Sequence, residues 1–86
     1  MGYQEPNNLF KYPIYPNPFT TDIWVSFPND DERTIEIYNT MGSIVYEIKV
    51  NSLEENFYLG ELTDGIYILK VTERLNTINT QKLIKF

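Results

Sequence analysis

Ile35-Glu36-Ile37-Tyr38-Asn39-Thr40-Met41-Gly42-Ser43-Ile44-Val45-Tyr46-Glu47-Ile48-Lys49-Val50 decides the fold class. Apolar and polar residues alternate with period two on both sides of a short polar loop, the pattern of two half-buried strands. Thr34 to Tyr38 is read as the first strand, with Ile35 and Ile37 on one face. Ser43 to Val50 is read as the second, with Ile44, Tyr46, Ile48 and Val50 on one face and Val45, Glu47 and Lys49 on the other. Gly42 stands where the turn calls for a positive φ. Strand, turn and strand make a hairpin.

The same alternation recurs outward from this hairpin. Asp22 to Phe27 places Ile23, Val25 and Phe27 opposite Trp24 and Ser26. Asn56 to Leu59 is a brief strand. Ile66 to Thr72 is apolar on both faces and reads as central, and Ile78 to Phe86 is the last strand. Pro28-Asn29-Asp30-Asp31, Leu62-Thr63-Asp64-Gly65 and Arg74 to Thr77 are turns. Three prolines at positions 13, 16 and 18 forbid a helix and confine any strand there to an edge. The expected fold is all-β: a single Ig-like antiparallel β-sandwich of about seven short strands over residues 12–86. Residues 1–11 read as a linker or a lead left by cloning, and the whole as a domain cut from a longer protein.

Composition agrees. The 86 residues include no alanine, while Ile, Val and Thr number 22 and aromatic residues 13, types that suit a pleated surface. Cysteine and histidine are both absent, which removes thiol and imidazole catalysis, disulfides and ordinary zinc sites. A net charge of −5 argues against nucleic acid or an anionic membrane as partner. No apolar run is long enough to insert in a membrane, and neither a signal peptide nor a myristoylation motif is legible. Residues 75–86 differ from the acidic body in holding Lys82 and Lys85 and no acid.

Little chemistry is left. Asp30-Asp31-Glu32 and Glu54-Glu55 could be a glycosidase pair, such as Asp31 with Glu54, or a calcium loop. Without EF-hand spacing they read better as solvated turns. No nucleophile, phosphate loop, metal set or cofactor site is assembled, so the domain is expected not to be an enzyme. Tyr3, Tyr12, Tyr15, Trp24, Tyr38 and Tyr58 could stack on sugars, although no spacing singles out a flat row. A carbohydrate-binding or adhesive Ig-like module is therefore the alternative reading. Tyr67 is expected to point its ring inward and its hydroxyl to a corner.

Three patterns meet in one order. Tyr15-Pro16-Asn17-Pro18 precedes the first long strand, Gly65-Ile66-Tyr67-Ile68-Leu69-Lys70-Val71 follows the hairpin, and Gln81-Lys82-Leu83-Ile84-Lys85-Phe86 closes the chain. Together with the strand–Gly42–strand unit, they resemble the C-terminal sorting domain of the Bacteroidetes type IX secretion system (type A, Por secretion tail family). Two positions depart from that pattern: Arg74 to Thr77 lacks the usual glycine, and Phe86 stands where a basic residue is typical.

The resemblance implies a signal that carries an N-terminal cargo domain from the periplasm through the outer-membrane translocon. Shuttle and sortase proteins are the implied partners. Removal of the domain then leaves cargo on the cell surface or released. Tyr15, Pro16, Asn17, Pro18, Gly42, Gly65 and Tyr67 are the structural motif residues. Lys82, Leu83, Ile84, Lys85 and Phe86 are the expected recognition element. Leu83 or Ile84 is expected to pack while the lysines face a partner, which would meet an unpaired strand edge or the terminal carboxylate.

Overall fold

The computed structural model describes residues 12–86, apart from Leu75 and the side chain of Ile78. Seven strands form: β1 (Ile14–Tyr15), β2 (Asp22–Ser26), β3 (Arg33–Tyr38), β4 (Ile44–Val50), β5 (Glu54–Tyr58), β6 (Gly65–Glu73) and β7 (Asn76–Lys85). They make two antiparallel sheets, one ordered β1-β2-β5 and the other β4-β3-β6-β7. The fold is thus a small all-β sandwich. Relative to the immunoglobulin constant type, the fourth strand pairs with the third rather than the fifth.

The period-two pattern becomes the core. Ile23, Val25 and Phe57 project from the three-stranded sheet onto Ile35, Ile37, Leu69, Val71 and Leu83 of the other, and all are buried. Each contributes about 1.5–3 kcal/mol by leaving water. Phe19 and Leu59 are buried with them although neither lies in a strand. Strand β6 sits between β3 and β7, the central place that its apolar composition suggests. Its outer residue Ile66 is nevertheless exposed and Ile68 only half-buried, because nothing described covers that face.

Ile44 lies on the face opposite to the one the alternation suggests, and Arg33 lies deeper than its charge suggests. The β3–β4 register slips between Ile37 and Tyr38, so that Ile37 faces Tyr46 but Tyr38 faces Ile44. One extra residue of β4 is accommodated, a bulge, and side chains beyond it change face. Ile44 is therefore exposed beside Tyr38, not aligned with Tyr46 as expected. Arg33, one residue before the strand expected from Thr34, begins β3 and is buried. Its guanidinium lies 4.9 Å from the Phe27 ring centroid and 5.6 Å from that of Tyr12. Nη1 donates to the carbonyls of Asn29 and Asp31, both at 3.0 Å, and Nη2 to Asn29 Oδ1 at 2.6 Å. The acidic loop is thus folded around this cation, with Glu73 at 3.9 Å from the other side.

Candidate recognition surface

Tyr15-Pro16-Asn17-Pro18 carries the chain from one sheet to the other. Ile14 and Tyr15 pair with Val25 and Trp24 on the edge of the three-stranded sheet. Cis peptide bonds occur at Tyr15-Pro16 and Asn17-Pro18. Phe19 then forms a parallel bridge with Lys85, on the outer edge of β7. The Asn17 side chain donates from Nδ2 to the Lys82 carbonyl at 2.9 Å, and its Oδ1 accepts from the Ile84 amide at 3.1 Å. The Phe19 amide donates to the Ile84 carbonyl at 2.9 Å, and the Phe86 amide to the Phe19 carbonyl at 3.0 Å. The edge expected to be unpaired is therefore closed from Lys82 to Phe86. Proline at positions 16 and 18 brings no N–H that would then need a partner.

The five expected recognition residues divide by strand parity. Leu83 is fully buried in the core. Lys85 shares its face and is only 6% exposed; its Nζ lies 3.5 Å from Asp64 Oδ1 and 3.4 Å from the Phe86 carbonyl. The expectation that both lysines face a partner is thus corrected for Lys85, which plugs the end of the sandwich. Lys82 and Ile84 point the other way, onto the outer face of the four-stranded sheet. There Ile84 pairs with Ile66, and Lys82 with Ile68. Ile68 in turn faces Tyr38, which faces Ile44. Phe86 is 68% exposed at the same end. Apolar side chains and one exposed lysine are therefore neighbours on a solvent-facing surface, and the second apolar face of β6, carrying Ile66 and Ile68, is part of it.

The other motif residues hold this sheet in shape. Tyr67, opposite Leu83, is buried; its hydroxyl donates to the Thr63 carbonyl at 2.6 Å and lies 3.2 Å from Thr63 Oγ1. That bond ties the start of β6 to the preceding turn. Gly42 takes a φ of 85° in the β3–β4 turn, where its amide donates to the Asn39 carbonyl at 3.1 Å. Asn39 Oδ1 accepts from the amides of Met41 and Ser43 at 2.9 and 3.0 Å, so side chain and glycine together set the turn. Gly65, paired with Lys85, has a φ of 152°, a conformation that side chains disfavour.

The alternative aromatic platform is partly assembled. Tyr15, Trp24 and Tyr58 are exposed on the outer face of the three-stranded sheet, where Tyr15 pairs with Trp24. The Tyr15 hydroxyl donates to Glu54, and that bond to a carboxylate raises the phenol above its ordinary pKa. Tyr12 belongs elsewhere, edge-on to Phe27 with centroids 5.3 Å apart. Tyr38 sits on the opposite sheet, beneath Lys70 Nζ at 5.5 Å from its centroid. Tyr3 is outside the described residues. Of the suggested acid pair, Glu54 serves Tyr15 and Ser26, whereas Asp31 lies in the loop around Arg33. Among the described residues there is no cluster of three or more acidic ligands that could hold a metal.

These features define a class: a small β-sandwich module with a proline-bearing segment clasped to its last strand. The chain matches the family described as secretion system C-terminal sorting domain over residues 13–85, and it belongs to that family. It is also 32% identical over 74 residues to ulvan lyase NLR42 of Nonlabens ulvanivorans, covering 83% of this chain and 14% of that protein. Over 59 residues it is 34% identical to β-agarase A of Zobellia galactanivorans, covering 67% of this chain and 11% of that protein. The chain thus spans a small fraction of the relatives it matches. It is a type IX secretion signal, the tail of a larger exported protein, and such a domain is not itself catalytic. Its role implies export to the cell surface or beyond.

Proposed function

We propose that residues 12–86 deliver an attached cargo from the periplasm to the type IX translocon, and that residues 1–11 join the two. An outer-membrane shuttle and a sortase are the proposed partners, with the domain removed and the cargo anchored or released. The names of the two relatives favour a carbohydrate-active enzyme as cargo. The recognition element lies in Lys82, Leu83, Ile84, Lys85 and Phe86, with the work divided. Leu83 and Lys85 fix the strand from within, and Lys82, Ile84 and Phe86 meet the partner. The observation that carries this reading is the outward placement of Lys82 and Ile84 beside exposed Ile66, on a strand whose end is tied down.

Deleting residues 83–86 would not test it, because Leu83 is core and the deletion removes packing together with the signal. The informative variant is Lys82→Glu with Phe86→Ala, two exposed positions. With the 86-residue chain fused to a reporter, export is expected to fall while the melting temperature of the isolated chain stays within a few degrees. Unchanged export would remove these side chains from recognition. A second reading, saccharide binding, is favoured only by the shared face of Tyr15, Trp24 and Tyr58. Titration with oligosaccharides, read by the fluorescence of the single tryptophan, tests it.

A further inference from the structure

Asn17 offers β7 what a neighbouring strand would offer. Its amide presents one donor and one acceptor to the Lys82 carbonyl and the Ile84 N–H, groups that a strand's peptide units would otherwise meet. Phe19 continues the pairing through its own peptide to the Ile84 carbonyl and the Phe86 N–H. From the Lys82 carbonyl to the Phe86 amide, these four outward backbone groups of β7 are all engaged. An aspartate would keep the acceptor but lose the donor, and an alanine would lose both. The pairing joins residues 65 and 67 positions apart, so nothing in the local sequence enforces it.

We infer that Asn17 is a positioning residue of the sorting signal: its amide closes the end of β7 and holds Lys82, Ile84 and Phe86 in the register in which their side chains are read. The proposed outer-membrane shuttle docks onto the outer face of the four-stranded sheet and does not add a strand to this edge. This rests on the sorting-signal reading. It assigns the Tyr15-Pro16-Asn17-Pro18 segment a part in recognition that a purely structural turn would not have. Closed edges resist strand addition, whereas flat exposed apolar side chains invite side-chain docking.

The test uses the 86-residue chain, alone and fused to a periplasmically targeted reporter in hosts with and without the translocon. Asn17→Ala is compared with the milder Asn17→Asp and with Ile35→Val, a core trim in the sheet centre that destabilises without touching the clasp. In Asn17→Ala, hydrogen exchange at the Ile84 amide is expected to quicken about tenfold relative to wild type. Export is expected to fall several-fold in both Asn17 variants, and Ile35→Val is expected to retain both properties. Faster exchange with export unchanged or raised would overturn the inference and favour strand addition. Unchanged exchange would show that Asn17 does not hold the edge. Equal loss of export in Ile35→Val would reduce the effect to general stability. Failure of the wild-type fusion to be exported would instead refute the sorting-signal reading itself, so the two failures are distinct.

Discussion

Replacing Tyr67 by phenylalanine removes one oxygen and leaves the ring in its place. That oxygen donates to the Thr63 carbonyl at 2.6 Å, and Thr63 itself is exposed. Water can take over the carbonyl, so the cost is the net worth of one hydrogen bond, about 1 kcal/mol, rather than that of a stranded buried acceptor. Replacing Tyr67 by alanine also removes a buried ring that packs within the sandwich and pairs with Leu83, at a cost of about 3–5 kcal/mol. A chain of 86 residues has a total stability of about 4–13 kcal/mol. The phenylalanine variant should therefore melt about 4–8 °C lower and the alanine variant about 12–40 °C lower. Thermal and urea unfolding followed by far-ultraviolet circular dichroism measures both. A phenylalanine variant that costs more than the alanine variant is expected to, or an alanine variant that melts like wild type, would refute the reasoning from ring burial and a water-replaceable bond.

Three further perturbations have definite signs. Arg74 has a φ of 59° in the β6–β7 turn, where the family pattern has glycine, so Arg74→Gly should raise stability by up to about 1 kcal/mol in urea unfolding; destabilisation would contradict it. Arg33→Ala should cost more than Arg33→Met, because methionine keeps an apolar stem against Phe27 and Tyr12 while both lose the bonds to Asn29 and Asp31. Equal losses would place the whole effect in the hydrogen bonds. Hydrogen bonds from Asn56 and then Thr21 hold the Asp22 carboxyl below its ordinary pKa. The ionised form is favoured by folding, so its contribution is present above the ordinary carboxylate range and is lost as pH falls through it. Melting temperature followed from neutral pH downward should fall less steeply in Asp22→Asn, and parallel curves would remove Asp22 from the acid response.

Local periodicity made much of the sandwich legible. Ile23 with Val25 and Ile35 with Ile37 alternate in the sequence and are buried in the structure. Gly42 marks its turn because few other residues tolerate a φ of 85°. The misplaced residues have separate causes. A bulge near Ile37 moved Ile44 to the outer face, and a one-residue slip leaves no mark in composition. Arg33 and Lys85 occupy inward positions in step with Ile35 and Leu83, so their parity was visible. Their charge argued for solvent, and only the assembled partners, Asn29 and Asp31 for one and Asp64 for the other, offset the burial. The clasp at Asn17 was not legible from pattern at all, since it depends on which strand end the Tyr15–Pro18 segment reaches across the sandwich.

The central claim is that this domain is a portable secretion signal. The most direct measurement fuses the 86-residue chain to a periplasmically targeted fluorescent reporter and locates the reporter in Bacteroidetes hosts that have or lack a working type IX translocon. Reporter on the surface or in the medium only where the translocon works is the predicted result. A folded fusion that stays in the periplasm of both hosts would contradict the account and turn attention to the Tyr15, Trp24 and Tyr58 face.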